Sequence, residues 1–325
     1  MLIPIAQIIG GFILLVWGAD RLVAGASATA RNLGVSPLII GLTIVAFGTS
    51  APELIVSAMA AFQGNPGLAV GNAIGSNIAN IGLILGLTAL IYPLRVESEI
   101  LKREYPLLML IMIGSFIMAA DLIFNRTEGW LMLCGLTALV IWMVRFGLRR
   151  GPQDPLAVEF AAEIPSDMPM RIAVMWLLVG MVILPLSSHF LVEGAVSIAK
   201  SLSVSDAVIG LTIIAFGTSL PELAAALTSA LRKEDDLAIG TVIGSNMFNI
   251  LGVLGIAATI SPVHVEELML KQDFPVMFLL TVLLFFMAYG ISGPGRISRN
   301  SGGLLLAIYV CYQVLVWITA TRVIS

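Results

Sequence analysis

The sequence predicts an all-α polytopic membrane protein whose ten transmembrane helices form two inverted five-helix repeats. Three observations lead there: an apolar composition, an internal repeat and an uneven distribution of positive charge. Of 325 residues, 58% are hydrophobic and 11% charged, whereas soluble domains carry about 25% charged residues. That excludes an ordinary soluble globular protein. The net charge is −3 and the basic residues form no dense tract suited to gripping phosphates, which argues against nucleic-acid binding. Cys134 and Cys311 stand isolated in apolar runs; their spacing fits neither a zinc motif nor a disulfide framework, and they read as packing residues.

Each crossing needs roughly 20 apolar residues. Hydropathy places spans near 2–24, 37–62, 68–91, 105–120 and 129–147, then near 171–197, 206–231, 237–260, 273–289 and 303–321. The first stretch lacks the positive start of a secretory signal, and it aligns with an internal segment near Ile172 to Ala195, so it reads as a retained helix. The second and seventh spans carry the strongest repeat: Leu38 to Leu54 matches Ala207 to Leu223 at 13 of 17 positions, at an offset of 169. At the same offset the third span, Leu68 to Gly82, matches the eighth, Leu237 to Leu251, and Pro93, Glu97 and Pro106 match Pro262, Glu266 and Pro275. The chain therefore divides into a first repeat, 1–147, a linker, 148–170, and a second repeat, 171–325. Five spans per half is an odd number, so the second half enters the bilayer in the opposite sense, the construction of many secondary transporters.

Charge tests the count. With alternating spans, thirteen of the 17 Lys and Arg fall on one side and four on the other. By the positive-inside rule the central loop is cytoplasmic and both termini face outward. The linker is Pro-rich and acidic and reads as a solvated connection. The Trp residues 17, 130, 142, 176 and 317 read as interfacial anchors. The chain is expected to be integral to the membrane, in the plasma (inner) membrane if the source is bacterial, with the lipid bilayer as its surroundings and no obligatory protein partner implied.

Glu53 and Glu222 carry the chemistry. A carboxylate within a span costs several kcal/mol and is a functional hypothesis by default. These two are equivalent in the halves, lie deep in their spans, and have no Lys or Arg at comparable depth in the same helix. Each follows a Gly-Thr-Ser-x-Pro run, and the proline cannot donate to the carbonyl of Gly48 or Gly217, so both helices should bend or break there. A carbonyl freed in hydrocarbon must be satisfied by protein, water or an ion. On a helix, Thr49 and Ser50 share a face with Glu53, and Thr218 and Ser219 share one with Glu222. Ser76 and Asn80, like Ser245 and Asn249, are four apart on one face. An all-oxygen set without imidazole or thiolate suits hard cations such as Ca²⁺ and Na⁺ and argues against zinc or copper. The competing explanation, a protonated glutamate bonded to a neighbouring helix, leaves the paired helix breakers unexplained. Asn77 and Asn246 read equally as helix bridges and as ligands; Gly71, Gly75, Gly82 and Gly86 read as packing residues. His189, equivalent to Asp20, reads as a satisfied or interfacial residue rather than a proton relay. No G-x-S-x-G or H-E-x-x-H motif is present, so the chain is not expected to be an enzyme. Paired broken helices favour alternating access over a passive channel.

The motifs from Gly41 to Glu53 with Gly71 to Asn80, and from Gly210 to Glu222 with Gly240 to Asn249, resemble the two alpha-repeats of the calcium/cation antiporter superfamily, especially its prokaryotic sodium/calcium exchangers. The resemblance spans essentially the whole chain. It implies that the second, third, seventh and eighth helices surround a cluster of cation sites, and that the first and sixth helices slide across them to switch access. The implied ligands are Glu53 and Glu222, the hydroxyls of Thr49, Ser50, Thr218 and Ser219, the carbonyls of Ala46 and Ala215, and the side chains of Ser76, Asn80, Ser245 and Asn249. It further implies Na⁺ and Ca²⁺ as transported ions, with no cofactor, in an antiport that extrudes Ca²⁺ from the cytoplasm; Ca²⁺/H⁺ or K⁺-dependent exchange through the same glutamates is the alternative. Some relatives carry an aspartate where Asn80 or Asn249 stands. Here both are amides, which leaves two fixed negative charges in the cluster.

Overall fold

The computed structural model describes residues 2–35, 40, 43–44, 46–96, 99–150, 167–202, 204–289 and 295–322. Helix α1 spans Leu2–Asn32; α2, Ala46–Thr49, and α3, Ala51–Phe62, form a broken pair; α4 spans Pro66–Ile91, α5 Glu99–Met118 and α6 Arg126–Arg150. In the second half α7 spans Met170–Leu202, α8 Asp206–Thr218, α9 Leu220–Leu231, α10 Asp235–Ile260, α11 Phe274–Tyr289 and α12 Arg299–Arg322. Among the described residues, eight helices are long and apolar enough to cross a membrane, and the pair α8 and α9, bent by 41°, makes nine. The span expected at 37–62 is seen as α2 and α3, and part of its start lies outside the described residues. So do Glu97 and linker residues 151–166.

The helices at the ends of each half are longer than hydropathy alone marks. α1 has 31 residues and α7 has 33, or about 45–50 Å at 1.5 Å per residue, more than the roughly 30 Å of hydrocarbon. Hydropathy ended the first span near residue 24, but the helix continues to Asn32 and ends before Gly34, whose φ of +83° is a left-handed C-terminal cap. α1 and α7 lie against each other at very close range. A Cβ on Gly25 would sit 2.4 Å from the Leu177 nitrogen, and one on Gly180 would sit 2.7 Å from the Leu22 Cβ. Where lipid removes any hydrophobic drive between helices, such close approach gives the dispersion contact that joins them. Trp17 and Trp176 therefore do not stand apart as lone anchors: their rings meet edge-on at 6.1 Å across this seam, with the Arg21 guanidinium 4.7 Å from the Trp176 ring centre.

α4 and α10 form the centre. In their apolar windows 78% and 83% of residues are buried, against 22–39% in the other single spans. The glycines expected to pack do so, with Gly71 and Gly75 against the α8 backbone and Gly82 and Gly86 against α12. Both central helices widen into a π turn, at Asn80–Leu85 and Asn249–Leu254. Two short antiparallel ribbons join loops of the two halves: β1, Leu94–Val96, pairs with β4, Gly295–Ile297, and β2, Ile123–Phe124, pairs with β3, Val263–His264.

Candidate functional site

Both breaks expected from the sequence occur, at equivalent residues. Ser50 separates α2 from α3 with φ −85° and ψ 2°, and Ser219 separates α8 from α9 with φ −83° and ψ 4°. Pro52 and Pro221 open the helices that follow, where a missing N–H costs nothing. The break puts Glu53 and Glu222 in the first turn of α3 and α9, so each carboxylate lies near a positive helix end as well as deep in the protein. Neither side chain is exposed.

Hydrogen bonds tie the two halves together around these carboxylates. Ser219 Oγ donates to Glu53 Oε1 at 3.3 Å, and Ser245 Oγ donates to Glu222 Oε1 at 3.2 Å. Ser50 Oγ donates to Ser245 Oγ at 3.1 Å, and Asn80 Nδ2 reaches the same hydroxyl at 3.1 Å. Two amide pairs cross between α4 and α10: Asn80 Nδ2 donates to Asn246 Oδ1 at 2.9 Å, and Asn249 Nδ2 donates to Asn77 Oδ1 at 3.2 Å. Asn77 and Asn246 thus bridge helices. The π turn begins at Asn80 and Asn249 in both halves, at the residues whose amides are aimed across.

What remains unpaired is all acceptor at four of these residues. Glu53 Oε2, Glu222 Oε2, Asn80 Oδ1 and Asn249 Oδ1 are buried without a hydrogen-bond partner. An unsatisfied buried polar atom costs about 1–3 kcal/mol, and more when charged. Among the described residues, no Lys, Arg or His pairs with either carboxylate. Asn246 Nδ2 is the orphaned donor in the same network; the carboxylate and amide oxygens are of the kind that Ca²⁺ and Na⁺ take as ligands.

The remaining expected ligands sit at different removes. Thr218 Oγ1 lies 3.1 Å from Asn72 Oδ1, and Ser76 Oγ donates to the same oxygen at 3.3 Å, so both join the network through Asn72. The Ala215 carbonyl accepts from Ser219 N at 3.2 Å and from Thr218 Oγ1 at 3.5 Å. Ala46 opens α2, and Thr49 lines a neighbouring cavity. Sequence reasoning missed Asn72, whose Nδ2 also donates to Ser57 Oγ at 2.9 Å and to the Glu53 carbonyl at 3.4 Å. Asn72, Ser76 and Asn80 recur every four residues on one face of α4, a spacing that packing amides share.

Helix α1 lies over the cluster. Glycine is required beneath it: a Cβ on Gly217 would fall 1.9 Å from the Phe12 ring, and one on Gly48 would fall 2.2 Å from Val23 Cγ2. Between these two contacts begins a cavity of about 440 Å³, reached by Val16, Asp20 and Ser27 of α1, by Thr49, and by Pro221 of α9. On the other side of the fold Gln63 Nε2 lies 2.9 Å from His189 Nδ1, so the histidine is partnered.

Comparison with known proteins agrees with this geometry. A family profile described as sodium/calcium exchanger protein matches residues 3–146 and 172–318. CaxA of Alkalimonas amylolytica is 48% identical over 317 residues, covering 98% of this chain and 99% of that one. The sodium/calcium exchanger MaX1 of Methanosarcina acetivorans is 31% identical over 340 residues, covering 94% and 96%. Among solved structures, the sodium-calcium exchanger NCX_Mj soaked with Na⁺ and Sr²⁺ superposes with a TM-score of 0.66 at 34% identity, covering 95% of this chain and 97% of that one.

Proposed function

The chain belongs to the sodium/calcium exchanger family, and from that premise we propose that it is a secondary active antiporter in which Na⁺ moving down its gradient drives Ca²⁺ out of the cytoplasm. The observation that carries this reading is the set of four orphaned acceptor oxygens on Glu53, Glu222, Asn80 and Asn249. The hydroxyls of Ser50, Ser219 and Ser245 already contact the carboxylates or each other, and with Thr49, Thr218, Ser76 and the Ala46 and Ala215 carbonyls they complete the proposed ligand set. Each ion competes for the same two glutamates. Moving the dianion without a cation through a low-dielectric state is costly, and that penalty couples the two fluxes.

The proposed topology is ten spans in two inverted repeats, 1–147 and 171–325, joined by a cytoplasmic linker at 148–170, with both termini outside and the chain in the plasma (inner) membrane of a bacterial source. The ribbons support this parity. β1 and β4 have an even number of proposed spans between them, as do β2 and β3, so each pair lies on one face. Access would alternate as α1 and α7 slide together over the cluster.

The test is Ca²⁺ uptake into Na⁺-loaded proteoliposomes placed in Na⁺-free medium. Uptake that requires the outward Na⁺ gradient, and vanishes with equal Na⁺ on both sides, is expected. Uptake driven by a pH gradient alone would replace Na⁺ with H⁺ in the mechanism, and uptake needing K⁺ as well would make the exchange K⁺-dependent.

A further inference from the structure

A further carboxylate, on the long first helix, faces the cavity beside the cluster. Asp20 lies mid-helix, because α1 continues to Asn32, and it lines the same cavity as Thr49 and Pro221. Those two mark the deep end, since Pro221 precedes Glu222 and Thr49 precedes Ser50. At the other end Ser229 and Leu237 also line the cavity, and they flank the turn between α9 and α10. The cavity thus leads from the cluster toward one membrane face, the face on which the positive-inside rule puts most Lys and Arg.

The nearby counter-charge leaves Asp20 available. Arg21 Nε is 3.7 Å from Asp20 Oδ2 and forms no hydrogen bond, while its guanidinium is held over Trp176 and Trp17. The Asp20 side chain remains 65% exposed. A second, independent feature points to a ligand in the same space: Ser27 is 1% exposed, lines the cavity, and its Oγ has no hydrogen-bond partner. Thr228 and Thr241 line the cavity as well. One carboxylate in a cleft with low-dielectric walls raises the local cation concentration by about 10–10³-fold.

We propose that Asp20 is a cation-recruiting carboxylate: it holds a partly hydrated cation in the cavity, with the Ser27 hydroxyl on the approach, before the ion passes Thr49 to the central cluster. The assignment rests on the exchanger reading and deepens it. Asp20 acts on one face only, and that sidedness separates recruitment from a structural role.

The experiment is exchange in proteoliposomes sorted by orientation, with ion concentration varied on each face in turn. For Asp20→Asn, half-saturating Ca²⁺ on the cavity face should rise about ten-fold, with the opposite face and the maximal rate within about two-fold; Ser27→Ala should give a smaller shift on the same face. Equal shifts on both faces, or none, would overturn the assignment. Binding supplies a readout that needs no transport. In solubilised protein carrying Glu53→Gln and Glu222→Gln, Tb³⁺ emission sensitised by the neighbouring tryptophans should persist, and adding Asp20→Asn should abolish it. Emission that survives Asp20→Asn overturns the proposal; absent wild-type exchange with Asp20-dependent emission would instead sink the exchanger reading and leave the cation site standing.

Discussion

Single residues decide whether the cluster binds anything. Glu53→Gln or Glu222→Gln keeps the shape of the side chain and removes one of two buried charges, which at a buried charged contact costs about 2–5 kcal/mol. Ca²⁺ exchange is expected to disappear while the purified variant stays monodisperse and helical. Thermal unfolding gives the matching equilibrium measurement: Ca²⁺ at about 100 times its dissociation constant adds roughly 2.7 kcal/mol to a native state that binds it, so wild-type protein should melt higher with Ca²⁺ and either variant should lose that shift. A full Ca²⁺ shift in both variants would remove the glutamates from the site. These carboxylates were legible from sequence because charge in hydrocarbon is expensive and both come with a helix breaker. Asn72 was not, because a buried amide on a helix face has many uses and only its actual neighbours, Thr218, Ser57 and Ser76, reveal a hub. The aim of Asn80 and Asn249 was equally hidden. Their nitrogens go to Ser245, Asn246 and Asn77, and that choice leaves their oxygens without a donor.

Elements were legible to the extent that they are apolar. Hydropathy located the spans, and the Gly-Thr-Ser-x-Pro runs located the breaks at Ser50 and Ser219. It ended the first span near residue 24, although α1 runs on to Asn32, with Arg21 stacked on aromatic rings and Asp20 facing a cavity. The ribbons were invisible, being strands of two or three residues whose partners are far away in sequence. The seat of α1 on α8 yields a prediction at this scale. Gly217→Ala puts a methyl group into the Phe12 ring, and overpacking of this kind costs about 1–3 kcal/mol. Exchange should slow markedly, and Phe12→Ala in the same chain should restore it, the coupling expected of residues in contact. Independent, additive effects of the two substitutions would show that the contact does not govern movement of α1.

At the scale of the whole molecule, α1 and α7 are proposed to travel as one body over a core built on α4 and α10. Paired cysteines test this directly in a chain whose Cys134 and Cys311 have been replaced by serine. Gly11→Cys with Leu191→Cys joins the two long helices, where the Cβ separation is 3.1 Å, and Val23→Cys with Gly48→Cys joins α1 to the core, where it is 3.3 Å; both are slightly shorter than the usual disulfide spacing and accessible to small backbone shifts. Oxidation should leave exchange intact in the first pair and arrest it in the second, with recovery on reduction. Arrest in both would mean that the long helices move relative to each other. The ribbons show what stays behind. β1 with β4 and β2 with β3 each stitch one half of the chain to the other through backbone hydrogen bonds, and the halves also interlock through α4 and α8. No part of that stitching requires the two strands of a ribbon to belong to one polypeptide. On the proposed division into two repeats, the architecture is that of a two-subunit assembly whose subunits share a single chain, with each ribbon standing where a subunit interface would be.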